Sequence, residues 1–188
     1  MKDKYTIIAL FGKSGSGKDT LLNKIMYAKP KFNRVVPTTT RPKRDYEIEG
    51  VDYHFLDEVS FTKELLENNL IEATSFQVAY DTSWFYGTNI KDLSKDNVNI
   101  GVFNLQAIRC MLDDDRLKVC PIFVDASNKT RLLRNLHREQ SPNCHEICRR
   151  FMADEKDFFE IDIPFYLFNN EDGESPKQLL DYIEGLFE

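Results

Sequence analysis

No stretch of this chain is an apolar run of the ~18 residues that would cross a bilayer, and no secretory leader is visible. Both absences predict a soluble, cytoplasmic protein. Basic charge is not in excess: 25 Lys and Arg against 31 Asp and Glu leave a net charge of −6. That argues against nucleic acid as a partner and leaves room only for a local basic pocket. Cysteine is sparse. Cys110, Cys120, Cys144 and Cys148 form no C-x-x-C pair, so the two-pair spacing of structural zinc is missing. Cys110 and Cys120 lie in apolar sequence and are expected as buried thiols. Cys144, His145 and Cys148 are close together, with His137 nearby, but lack that spacing. No internal repeat or low-complexity segment appears. What is present, 188 residues that are 41% hydrophobic with 14 phenylalanines, suffices for one domain, or for a core with a small inserted lobe.

Residues 12–20 read Gly-Lys-Ser-Gly-Ser-Gly-Lys-Asp-Thr, that is G-x-x-x-x-G-K followed by Asp19 and Thr20. This is close to the phosphate-binding P-loop. Its context fits: YTIIALF at 5–11 reads as a buried strand, and TLLNKIMYA at 20–28 places Leu21, Leu22, Ile25 and Met26 at helical spacing. Gly12, Gly15 and Gly17 let the backbone curl so that successive N–H groups converge on one anion, and the helix N-terminus adds partial positive charge. Ser14 and Ser16 lie between these glycines, and Lys18 reaches the outer phosphates. Where the motif has Ser or Thr to ligate Mg²⁺, this chain has Asp19. A carboxylate beside a triphosphate is repelled. Asp19 therefore faces the metal, directly or through water, or turns away. Thr20 still offers a hydroxyl to an inner phosphate.

The remaining pattern predicts strands at 97–103, 118–124 and 165–168 alternating with helices at 105–112, 127–138 and 145–159. Ser127 caps the second helix, and Ser175-Pro176 opens a final one. That alternation argues a parallel α/β sheet. Between residues 37 and 88 it is interrupted by hairpin-like material. There the pattern predicts a short helix at 60–69 capped by Ser60 and strands at 70–74 and 77–80. A turn is expected at Asp81-Thr82-Ser83.

Thr38 to Phe55 reads TTTRPKRDYEIEGVDYHF. Here the chain resembles the guanylate kinase family, whose pattern is roughly T-T-R-x-P-R-x-G-E-x-x-G-x-D-Y-x-F. Thr39, Thr40, Arg41, Arg44, Glu47, Gly50, Asp52, Tyr53 and Phe55 match in register. Proline is shifted to Pro42, and Tyr46 stands in place of a glycine. Leu70-Ile71-Glu72 and Tyr86-Gly87-Thr88 match the family's F-I-E and Y-G-S/T, with a longer interval between them. Arg134, Arg138 and the pair Arg149-Arg150 resemble the arginines of the family's lid. Asn169 fits its late N-D, with Asn170 in place of the aspartate.

The resemblance implies a P-loop core of 1–36 and 89–188, a helical lid at about 134–150, and an acceptor-nucleotide lobe inserted at 37–88. It implies ATP-dependent phosphorylation of GMP or dGMP with Mg²⁺, by a monomer or homodimer that touches neither nucleic acid nor membrane. The residues agree with a second phosphate site: an arginine fork matches a phosphate, Arg41 and Arg44 supply two such forks, Tyr53 and Tyr86 add hydroxyl donors on a rigid frame, and Glu47 belongs to the same substrate-binding motif. By family analogy Glu72 reads the guanine edge, Thr88 donates to its oxygen, and Asn104 stands where the family has a base-contacting aspartate. Arg138 and either Arg149 or Arg150 neutralise the migrating phosphoryl group. Pro37 and Val102 depart from the pattern, each removing a polar group. Two other readings remain open. One is a kinase of the same architecture acting on another deoxynucleotide or on ribose 1,5-bisphosphate. The other is a non-catalytic guanylate-kinase-like interaction module.

Overall fold

Tyr5–Phe11 forms strand β1, and the run Ile7 to Phe11 is buried throughout. A continuous apolar run of this kind belongs to a strand covered on both faces. The computed structural model describes residues 4–45, 47–79, 82–138, 141–171 and 176–186. The other strands are β2 (Asn33–Arg34), β3 (Thr38–Thr39), β4 (His54–Phe55), β5 (Leu70–Ala79), β6 (Thr82–Asn89), β7 (Asn99–Val102), β8 (Leu117–Asp125) and β9 (Tyr166–Asn169). The helices are α1 (Lys18–Ala28), α2 (Glu58–Leu66), α3 (Leu105–Leu112), α4 (Asn128–His137), α5 (Cys144–Asp157) and α6 (Lys177–Gly185). This is the expected α/β class, a sheet with parallel pairs β2–β7 and β8–β9. Among the described residues no helix is long and apolar enough to cross a membrane.

The chain forms two compact units, Met1–Ile8 with Lys31–Val119, and Ala9–Pro30 with Cys120–Glu188. In the first, the central sheet runs β2, β7 and the start of β1, and a second sheet runs β4, β3, β6, β5. The stretch 37–88 lies wholly inside this unit. Its long ladder is the antiparallel β5–β6 pair, with β3 antiparallel on the other side of β6. Helix α3 packs on β5, and Leu105, Ala107, Ile108 and Met111 bury its apolar stripe. In the second unit the end of β1, β8 and β9 lie in that order. Their core includes Leu21, Leu22, Ile25, Leu179 and Ile183. Phe11 and Phe123 pack edge-on or tilted with Phe165, and both approach Phe158.

Several elements differ from the sequence-based expectations. Helix α2 begins two residues before Ser60. Its cap is Asp57, whose carboxylate accepts from the Ser60 N–H at 2.7 Å. Either residue type caps well, and the extended backbone of Asp57 decides. Residues 70–79 are one strand, because pairing with β6 carries polar Ser75 and Gln77. Ser83, expected in a turn, lies in β6; the expected turn residue Asp81 lies outside the described residues. Helix α5 starts at Cys144 with Asn143 as cap. Pro176 takes the cap position of α6, and Ser175 lies outside the described residues. Cys110 and Cys120 are half-buried rather than fully enclosed.

Candidate active site

The candidate residues fall into two sets, one within each unit. In the second unit, β1 ends at Phe11 and the chain turns at once into α1. Gly12 has φ 145°, and a Cβ there would lie 2.2 Å from the Val124 carbonyl oxygen, so only glycine fits. Gly17, at φ 88°, is the α1 cap and supplies no side chain to the helix N–H groups. A helix opening without a side-chain cap is a ready anion site. Lys18 folds over the loop and donates to the carbonyls of Gly12 (2.8 Å) and Lys13 (3.0 Å). Burial pushes its ammonium below the ordinary lysine range. Asp19 and Asp154 oppose that shift, and Arg131 and Arg138 add to it. The Ser16 hydroxyl is buried without a partner among the described residues, and the Ser14 hydroxyl donates to Asn135 Oδ1 at 3.3 Å. Asp19 and Thr20 are exposed on the first turn of α1.

Around this loop stand Arg134, which the resemblance set in the lid, Asn170, which replaces the family's aspartate, and Arg131, which the sequence did not single out. Arg134 donates to the carbonyls of Gly15, Ser16 and Asn170. Asn170 Nδ2 donates to the Ser16 carbonyl at 2.7 Å. The expected Asn169 is instead the exposed last residue of β9, opposite Asp125 in register. Side chains alternate along a strand, so one step along the chain exchanges the residue that reaches the loop. Arg131 is fully buried against Ser14. No periodic signal marks it, since α4 reads as an ordinary amphipathic helix. Arg138 is exposed at the C-terminal cap of α4. Arg149 and Arg150, both exposed, share the Glu146 carboxylate at 2.7 and 3.0 Å. Those two guanidiniums hold Glu146 down to about 2.

The second set lies in the first unit. Arg41 and Glu47 form a buried two-pronged ion pair, Nη2–Oε1 at 2.6 Å and Nη1–Oε2 at 3.0 Å. Arg41 also donates to the Pro42 carbonyl and sits 5.3 Å over the Tyr53 ring. Its hydrogen bond to Glu47 raises the guanidinium and holds the carboxyl well below the usual range. The Arg44 N–H donates to Glu47 Oε2, while the Arg44 side chain is exposed. Tyr53 and Tyr86 meet edge to face, centroids 6.0 Å apart.

Glu72 and Thr88 are direct neighbours across the β5–β6 ladder. The Thr88 hydroxyl donates to Glu72 Oε1 at 2.8 Å, and Glu72 Oε2 is buried without a partner among the described residues. Burial pushes the Glu72 carboxyl up to about 7, with the Thr88 hydrogen bond acting against it. Asn104 is turned to another task. Its Oδ1 caps α3 by accepting from the Ala107 N–H, and its Nδ2 donates to Thr74 Oγ1 at 3.2 Å.

These geometries separate two arginines that look alike in the sequence. Arg44→Ala removes an exposed side chain and should change stability by no more than about 0.5 kcal/mol. It should weaken acceptor binding by roughly 10- to 150-fold, the worth of a charge-assisted contact. Arg41→Ala strands the buried Glu47 carboxylate and should cost about 3–5 kcal/mol of stability as well. Thermal unfolding alongside GMP titration checks both; equal stability losses would contradict the assignment.

A chain with this P-loop, this sheet and this acidic strand pair has recognisable relatives. The guanylate kinase family model matches residues 4–186. The chain belongs to the guanylate kinase family. Members of that family are nucleoside monophosphate kinases, phosphotransferases that bind nucleotides. The chain is 28% identical to a guanylate kinase of Wigglesworthia glossinidia brevipalpis over 175 residues, covering 90% of this chain and 82% of that one. It is 32% identical to one of Gluconobacter oxydans over 148 residues, covering 78% and 70%. The crystal structure of guanylate kinase from Anaplasma phagocytophilum has the same fold, with a TM-score of 0.64 at 22% identity over 98% of this chain and 85% of that one.

Proposed function

We propose that this member of the guanylate kinase family transfers the γ-phosphoryl group of ATP to GMP or dGMP, yielding ADP and GDP or dGDP. The observation that carries the choice of base is the bare oxygen of Glu72. A guanine edge presents N1–H and N2–H₂ side by side, and a buried carboxylate accepts both. Thr88, donating to the other oxygen, orients that carboxylate. Arg41, Arg44, Tyr53 and Tyr86 hold the acceptor phosphate, with Glu47 fixing Arg41. Asn104 acts through the start of α3 rather than on the base. Residues 37–88 serve as the acceptor lobe and about 134–150 as the lid.

On the donor side, the glycine cradle, the buried Ser16 hydroxyl and the uncapped α1 opening fit phosphate oxygens. Asp19 and Thr20, exposed on the first turn, supply oxygen donors of the kind Mg²⁺ takes. Held there, Mg²⁺ would supply positive charge against the phosphate oxygens. No covalent intermediate is needed: catalysis is in-line positioning and charge stabilisation. Lys18 acts on the outer phosphates. Arg138 with Arg149 or Arg150, released from Glu146, acts on the migrating group. Asn169 contributes at the edge of the donor nucleotide. The lid excludes water, which would otherwise take the phosphoryl group. The reaction belongs in the cytoplasm, with free nucleotides as partners.

The test is ATP with each common ribo- and deoxyribonucleoside monophosphate, scored for ADP release. GMP or dGMP should be the best acceptor. A better pyrimidine or adenine acceptor overturns the base assignment alone. Nucleotide binding without transfer to any acceptor overturns the kinase reading in favour of an interaction module.

A further inference from the structure

Ser14 is the only P-loop residue among those described whose backbone N–H and C=O are both taken by charged side chains. Its N–H donates to Asp154 Oδ2 at 2.6 Å, and its carbonyl accepts Arg131 Nε at 3.1 Å. Arg131 Nη2 closes the ring on the same Asp154 oxygen at 3.2 Å. Glu155 accepts from Arg131 Nη1 at 2.8 Å and from Lys13 Nζ at 2.9 Å, so the neighbouring loop residue is tied to the same network. Asn128 Oδ1 takes a further Arg131 proton, and Phe151 lies under the guanidinium, 4.6 Å from its carbon. Helices α4 and α5 thus meet at the loop through a buried charge.

A buried ion pair is a poor way to hold two helices together, because desolvation offsets most of the attraction and an apolar pair does as well or better. What an apolar pair cannot do is hold the backbone on both sides of one residue, by its N–H and by its C=O. We propose that Arg131 and Asp154 are positioning residues that clamp the backbone N–H and C=O of Ser14 and set the P-loop for the outer phosphates of the donor nucleotide. The inference rests on the reading of this loop as the ATP site. Asp154 brings an acceptor to the loop without bringing net negative charge, since Arg131 neutralises it. Without the clamp, the Ser14 backbone, which lies between Gly12 and Gly15, is held less directly, through its neighbours' carbonyls, by Lys18 and Arg134. Ordering it then becomes part of the cost of binding nucleotide. The acceptor set lies in the other unit.

The test uses the full chain, a non-hydrolysable ATP analogue and GMP as probes in calorimetry, and thermal unfolding. The double variant Arg131→Leu/Asp154→Ala replaces the ion pair with apolar groups and is expected to fold with near-native stability. It should bind the ATP analogue about tenfold more weakly while its GMP affinity stays within about twofold. In turnover the KM for ATP should rise while kcat changes little. A folded double variant with wild-type affinity for the analogue overturns the clamp and leaves a purely structural network. If the double variant does not fold, Asp154→Ala alone, which keeps the Arg131–Glu155 pair, must show the same selective loss or the inference fails. A wild-type chain that does not bind the analogue overturns the ATP reading itself, and the clamp's role with it.

Discussion

Lys18→Ala should lower the specificity constant for phosphoryl transfer by at least about 100- to 1,000-fold, the usual loss when one preorganised charge is removed from a transition state. The folded protein should survive the change. Among the described residues Lys18 hydrogen-bonds loop carbonyls, at Gly12 and Lys13. Burial disfavours its charged form. For a lysine held below its ordinary range, the folded state carries a penalty at every pH where the side chain is protonated in both states. That penalty is relieved only as pH rises through the lowered value. Alanine removes the penalty together with the two contacts, so the midpoint of thermal unfolding at pH 7 should not fall appreciably. Turnover is read as ADP release with GMP as acceptor. Near-normal turnover in a folded variant would sink the assignment of this loop to the donor nucleotide.

Glu72 carries the second large effect, and it depends on pH. At pH 8 GMP should exceed AMP in specificity constant by at least about 100-fold. The ionised carboxylate accepts two guanine protons, whereas adenine offers it an acceptor and leaves a buried charge unpaired. With its carboxyl pushed up to about 7, Glu72 becomes neutral as pH falls, and a neutral carboxyl can donate to adenine N1. The preference should therefore narrow between pH 8 and 6. Glu72→Gln should abolish this pH dependence and erode the preference more than it lowers the rate with the best acceptor. A ratio that does not change with pH in the wild-type protein would remove Glu72 from the base contact.

The same shift fixes a stability effect in the nucleotide-free protein. A carboxyl whose folded value lies above its unfolded one contributes stability that is fully present below about 4.5 and is lost as pH rises through about 7. The difference is on the order of 3 kcal/mol. Glu72→Gln should accordingly be the more stable protein at pH 8 and lose that advantage toward pH 5. GMP binding near pH 6 to 7 should release a proton, because the guanine edge favours the ionised form. Titration calorimetry in buffers of differing ionisation enthalpy reads that release directly.

The sequence alone determined the features that depend on neighbours along the chain. The P-loop was legible because glycine spacing, a buried apolar strand before it and helical periodicity after it are all local. Helix α3 over Leu105–Leu112 and the Ser127 cap of α4 followed for the same reason. The family resemblance rests on short ordered motifs, the P-loop and Thr39 to Phe55, joined by Leu70-Ile71-Glu72, Tyr86-Gly87-Thr88 and the lid arginines. Only the tertiary structure decided how the charged residues are used. Arg41 and Arg44 read alike, yet one is buried on Glu47 and the other is exposed. Asn104 was expected at the base and is occupied with Ala107 and Thr74. Asn170 rather than Asn169 reaches the P-loop because of where β9 sets its register. Arg131 and Asp154 meet Ser14 across more than a hundred residues of chain. Burial and charge pairing between distant segments leave no period in the sequence, because each partner alone looks like one more polar residue on a helix face.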